Sequence, residues 1–293
     1  MTTLLSYRKN DWSSLHAAAA GVLGAAGLAV TWPAWSDLAR MALRDEESSH
    51  ILLVPLVFVG LVYVRRWRFR RLRPTGQWVG PALIAGGWLL HSVGDRWLIQ
   101  AFWHGGAVVT VVGCLITAVG AQVLYRFLPA FLVLGFLVPV PGLVRQQIAL
   151  PLQTATARLT EWVFAFFGQE VGRSGNVLTV GTTEIAIAEA CNGLRMVFAL
   201  TLISYAFAFS TPLRPYVRVL VLAASPALAI MANIVRLIPT VWVYGRFSTP
   251  TADLFHDLSG WVMLPLAFLI LMGVIGLLRW ALVPVTRFTL AYD

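Results

Sequence analysis

Hydrophobic residues make up 58% of the 293 residues and charged residues 12%, and the mean hydropathy is +0.76. A water-soluble domain carries about 25% charged residues, and no polar stretch here is long enough to build one, so the composition excludes a soluble enzyme and points to an all-α polytopic membrane protein. The formal charge of +9 does not indicate a nucleic-acid partner, because the basic residues concentrate in RRWRFRRLR (65–73), directly after an apolar run, where they hold a short loop in the cytoplasm.

In chain order, Arg8 and Lys9 precede an Ala/Gly/Val/Leu run as in a signal peptide. The bulky TWPAW (31–35) then stands where a small-residue cleavage site belongs, so an uncleaved first span is expected. Apolar periodicity places spans at 15–34, 50–64, 78–94, 99–119, 124–141, 192–210, 217–238 and 259–279, about eight in all. An even number puts both termini on one side, and the 65–73 loop makes that side cytoplasmic. The inner side then collects 13 basic and two acidic residues, and the outer side nine basic and 11 acidic.

Segment 142–168, GLVRQQIALPLQTATARLTEWVFAFFG, interrupts its apolar residues with Arg145, Gln146, Gln147, Gln153, Arg158 and Glu161. Two readings fit it: an interfacial amphipathic helix on the outer side, or a ninth span. The second would invert everything downstream and carry the RPYVR loop (214–218) outside, so the interfacial helix is the reading adopted. The next stretch, QEVGRSGNVLTVGTTEIAIAEA (169–190), is the one with strand character. Gly181-Thr182 separates two short runs rich in β-branched residues, which predicts a small outer-face β-hairpin that delivers the chain to Cys191.

Two cysteines cannot make a disulfide framework. Cys114 lies inside VVTVVGCLITAVG, within a span, and reads as a small hydrophobe. Cys191, in AEACNGLR (188–195), lies at a span's edge where a helix begins. Arg236 interrupts an apolar helix near its outer end, where a mid-membrane arginine costs about 2.5–3.5 kcal/mol and so faces a partner or a watery cavity. Asn233 is three residues earlier, on the same helical face, and Pro239 follows. His256 opens the last span beside Asp257, with Gly260 one turn on permitting close helix approach.

The charge-derived topology brings Cys191, Arg236 and His256 to one membrane face. A nucleophile, a proton-handling group and a fixed cation are the parts of a cysteine acyl-transfer site. The attacking species is the thiolate, which a helix N-terminus, a guanidinium or an imidazole can each favour. Arg236, Asn192 or backbone amides after the cysteine could instead donate to an oxyanion. His50 could contact substrate or be structural. Arg195, one turn after Cys191, could serve the site or pair with Glu184 or Glu189. A transporter or export-channel subunit is a second reading, motivated by the spans and Arg236. A membrane acyl or glycosyl transferase is a third, motivated by Asp253 and Asp257 around His256.

At these residues the chain resembles the exosortase/archaeosortase family of multi-pass membrane cysteine transpeptidases. Ala190-Cys191-Asn192-Gly193 is similar to the family's A-C-S-G-like motif, Asn233-Ile234-Val235-Arg236 to its N-x-x-R-like motif, and His256 to its downstream histidine. SSHILLVP (48–55), PVPG (139–142) and Leu152-Gln153 extend the likeness over most of the chain, and Asn192 stands where the family has serine. The resemblance implies a single integral-membrane domain over 1–293 in the bacterial inner membrane, with its active site on the periplasmic side. Its substrates would be exported proteins with PEP-CTERM-like tails, each a motif, a hydrophobic helix and a basic cluster. Cys191 would form a thioester, His256 would act as acid or base, Arg236 would hold substrate or oxyanion, and an acceptor nucleophile or water would release the product. No ligand cluster has metal-site spacing, so neither a metal nor an organic cofactor is expected.

Overall fold

The computed structural model describes residues 14–72, 78–180, 183–186 and 193–280. The chain divides into two compact units, 1–141 and 142–293.

In the first unit, α1 (Ser14–Val30) and α2 (Trp32–Arg44) meet at a bend of 78°. Thr31 makes the corner: its hydroxyl donates to the Gly27 carbonyl at 2.7 Å and accepts from Trp35 Nε1 at 2.9 Å. Pro33 starts α2, where its missing N–H has no helical partner to lose. Ala34, Leu38 and Ala42 are buried at four-residue spacing, and Asp37 reaches the wholly buried His104, whose Nε2 lies 3.1 Å away. A 3-10 segment, Glu46–Leu53, leads into α3 (Val54–Val64), and a second, Arg66–Arg71, carries the arginine run.

The tightest packing in this unit joins α4 (Val79–Arg96) to α5 (Gln100–Val119). Gly80, Gly87 and Gly94 recur every seven residues on α4 and face Gly106 and Gly113, seven apart on α5. A methyl on Gly87 would come 2.6 Å from the Thr110 amide nitrogen, and one on Gly113 would come 2.7 Å from that of Ile84. The backbones themselves are in contact, as small residues allow where lipid provides no hydrophobic drive between helices. Beyond Gly120, which takes a φ of +87°, the drawn span 124–141 is in fact broken. It consists of α6 (Ala121–Arg126), α7 (Leu128–Val133) and a 3-10 turn, Leu134–Leu137. Pro129 cannot continue the preceding helix, which accounts for the first break.

The second unit opens with α8 (Gly142–Phe166), a continuous 25-residue helix with Pro151 inside it. Its first half is exposed, while Thr156, Ala157, Thr160 and Phe164 are buried. A three-stranded antiparallel sheet follows, ordered β1 (Gly172–Ser174), β2 (Val177–Val180) and β3 (Thr183–Ala186). The β2–β3 pair is the expected hairpin, with Val180 opposite Thr183. β1 is an additional strand, joined through Gly175, at a φ of +61°, and Asn176. Three polar contacts tie the sheet and its β1–β2 turn to α8. The Asn176 amide donates to Gln153 at 3.1 Å and accepts from Thr154 at 3.0 Å, and Arg173 pairs with Glu161 at 2.6 Å. Below it, Leu178 fills a cluster with Ala157, Phe164, Leu237 and Val241, burial worth roughly 1.5–3 kcal/mol for the leucine alone.

The chain then forms α9 (Gly193–Ser210), α10 (Pro215–Tyr244) and α11 (Thr249–Trp280), packed on one another. Met196, Leu200, Ala229, Ala232 and Ala267 build the middle of this bundle, and Leu213, Val217, Val221, Leu271 and Ile275 build one end.

Five helical segments among the described residues are long and apolar enough to cross a bilayer: Glu47–Val64, Gln100–Val119, Gly193–Ser210, Pro215–Tyr244 and Thr249–Leu277. Counting Ser14–Val30 with Trp32–Arg44, and Leu128–Leu137 with Gly142–Phe166, as one span each brings the number to seven, against the eight drawn from hydropathy. α4 fills the drawn span 78–94 but is not among them, since its glycines, His91, Asp95 and Arg96 dilute its apolar content. The architecture is that of an all-α polytopic membrane protein with a small sheet.

Candidate active site

Asn233, Arg236 and His256 lie toward one end of the α9–α10–α11 bundle, the end at which α9 and α11 begin. α9 starts at Gly193, and a methyl there would lie 3.1 Å from Asn233 Nδ2 and 3.4 Å from Leu152 Cδ2. The missing β-carbon therefore lets the first turn of α9 sit against both α10 and α8. Asn233 is 1% exposed, and its Oδ1 accepts no hydrogen bond from any described residue. A buried acceptor left this way costs about 1–3 kcal/mol, the kind of cost tolerated at functional sites.

Arg236 follows three residues later on the same face of α10 and is 6% exposed. Its guanidinium crosses to α11, where a methyl on Gly260 would come 3.3 Å from Nη1. His256 precedes Gly260 by one helical turn and so shares that face. Its ring is 18% exposed, with Nδ1 3.1 Å from Asp257 Oδ1. A carboxylate only accepts, so Nδ1 carries the proton in this contact. Asp257 is 70% exposed, so it orients the ring without burying a charge pair. The buried amide of Asn233 thus borders Gly193 and the buried cation of Arg236 borders Gly260, one helical turn from His256; an amide and a guanidinium are both donors suited to negative charge on a carbonyl oxygen.

Of the other residues singled out from the sequence, Cys191 and Asn192 lie outside the described residues, as does Glu189. Arg195 is half-buried in the first turn of α9. His50 belongs to the first unit, where its Nδ1 donates to the Glu47 carbonyl at 3.0 Å. Cys114 is buried in α5. Among the described residues no group of three or more His, Cys, Asp or Glu could hold a metal ion.

Two features next to the site were not foreseen. Tyr244, at the end of α10, donates its hydroxyl to Asp253 Oδ1 at 2.6 Å and ties the α10–α11 connection together. An apolar cavity of about 490 Å³ lies between α8 and α10, lined by Val163, Phe164, Phe167, Gln169, Ile238, Pro239 and Trp242. The aromatic run FAFF (164–167) and Trp242 were its visible trace in the sequence.

No curated protein and no solved structure matches the chain. The family model described as transmembrane exosortase matches residues 35–273, across both units and through every residue of the site. The chain therefore belongs to the transmembrane exosortase family, membrane enzymes that process the sorting signals of exported proteins.

Proposed function

We propose that this protein is a cysteine transpeptidase that cleaves the C-terminal sorting signals of exported proteins at the periplasmic face of the bacterial inner membrane. Both termini are cytoplasmic in this reading, and the whole chain acts as one integral-membrane domain. The observation that carries it is the meeting of Arg236 with Gly260, one turn from His256, while Asn233 rests against Gly193, two residues from Cys191. Two residues of chain reach no further than about 7 Å, so the thiol-bearing position is tethered to the cluster.

In the proposed reaction His256 takes the Cys191 thiol proton, the thiolate attacks the carbonyl carbon of the scissile peptide bond, and the carbonyl oxygen becomes an oxyanion. Arg236 and the amides near the start of α9 stabilise that charge. His256 gives a proton to the departing amine, the C–N bond breaks and a thioester remains. An acceptor amine or water then loses a proton to His256 and attacks the thioester, and the thiolate is restored as the exported protein leaves its anchor. The substrates are proteins with PEP-CTERM-like tails, whose hydrophobic helix holds the bond at the membrane edge. Asn192, Arg195 and Asn233 are assigned as substrate or oxyanion contacts. The cycle balances without a metal or organic cofactor.

Cys191→Ala, Arg236→Ala and His256→Ala variants, expressed with a tailed exported protein, test the assignment. Each is expected to abolish processing at a normal protein level. Normal processing by Cys191→Ala would overturn it.

A further inference from the structure

The arginines that follow α3 form more than a topological signal. Arg66, Arg68 and Arg126 are exposed, and none of the three is ion-paired with a described carboxylate, whereas Arg40 and Arg173 both are. No acidic residue occurs between 48 and 94 or between 96 and 160. The segments of Arg68 and Arg126 are nevertheless drawn together, and Arg66 lies two residues before Arg68. Arg68 Nη1 donates to the Arg126 carbonyl at 2.9 Å, and the Phe69 ring packs on Phe127 with centroids 4.5 Å apart. Arg66 Nη1 donates to the Tyr63 carbonyl at 3.0 Å, with the guanidinium 4.0 Å over the Tyr63 ring and 5.2 Å from that of Trp67. A guanidinium has five N–H donors, so most of each fork is left for an anion. Holding cations close together without a counter-charge among the described residues is unfavourable in itself, and an anionic ligand relieves it.

The apolar surroundings decide what kind of anion fits. Leu56, Val59 and Tyr63 are 69%, 62% and 62% exposed and recur at i, i+3 and i+7, forming a stripe along α3 that runs up to the arginines. Trp67, 56% exposed, stands at its end, as aromatic side chains do at headgroup depth. We propose that this corner binds an anionic phospholipid, with its phosphate on Arg66, Arg68 and Arg126 and an acyl chain along the α3 stripe. The site is separate from the peptidase assignment and holds whether or not that assignment does.

The test uses the full chain purified in a neutral detergent and titrated with phosphatidylglycerol or phosphatidylcholine, with thermal unfolding and native mass spectrometry as readouts. Phosphatidylglycerol is expected to raise the midpoint and remain bound, and phosphatidylcholine is not. An arginine at an anionic surface contributes roughly fivefold in affinity, so the triple variant R66Q/R68Q/R126Q should lose on the order of 100-fold. R66K/R68K/R126K should keep most of the effect. Should the triple variant fail to fold, R126Q alone, whose side chain bonds to no described residue, should lose about fivefold with its lipid-free midpoint unchanged. Equal responses to the two lipids, or undiminished phosphatidylglycerol affinity in these variants, would overturn the proposal. So would saturation by glycerol 3-phosphate, which would mark a soluble-anion site instead.

Discussion

Substitution of Gly260 probes the site without touching a charged group. A β-carbon at 260 would lie 3.3 Å from Arg236 Nη1, so alanine requires the guanidinium to yield by a few tenths of an ångström. Alanine also gains up to about 1 kcal/mol in helix propensity, and Gly260→Ala should be folded and only mildly slower. Leucine adds three carbons, and a helical leucine turns back over the preceding turn, here the turn that carries His256. The guanidinium and the new side chain cannot share the space, so Arg236 moves by about 1 Å. A displacement of that size costs about 100-fold in rate, or about 2.7 kcal/mol of transition-state stabilisation. Gly273 and Gly276, on the same helix, have nothing within 4 Å of a built methyl, so Gly273→Leu and Gly276→Leu serve as controls. The assay is the initial rate of tail removal from an exported protein in isolated membranes, normalised to folded enzyme. Near-normal processing by Gly260→Leu would refute the reasoning, as would equal loss in Gly273→Leu.

Asn233→Leu should separate stability from function. It removes a buried acceptor that has no described donor, so the melting midpoint should hold or rise while processing falls at least tenfold; a lowered midpoint with normal processing would contradict this. Gly87→Leu should splay α4 from α5, because its β-carbon meets the Thr110 backbone rather than a movable side chain. A loss of about 3 kcal/mol or more is expected, read as a lowered unfolding midpoint. Gly86→Leu, with open space at the same depth, should leave it within experimental error.

Much of the bundle was legible because membrane helices announce themselves by composition. The stretches drawn as 99–119, 192–210 and 217–238 correspond to α5, α9 and most of α10. Hydropathy could not register the Thr31 corner or the breaks in 121–137, since a bend set by one hydroxyl or one proline leaves the apolar count unchanged. β1 was missed although the dipeptide Gly175-Asn176 is a two-residue hairpin signal, because a three-residue strand has too little alternation to detect. At the site, Asn233 and Arg236 were readable as one helical face, and Gly260 as a point of close approach. That the Arg236 guanidinium fills the space beside Gly260 depends on how two helices pack, which no local pattern encodes.

The seam between α4 and α5 has an evolutionary corollary. Glycine is the sole amino acid without a β-carbon, so Gly80, Gly87, Gly94, Gly106 and Gly113 admit no conservative exchange. Drift in relatives should therefore accumulate on the lipid-facing sides of these two helices and spare the line where they touch. An insertion or deletion of one residue in either helix would rotate that line out of register, so length variation should be confined to the turn at 97–99 and to the flanking loops.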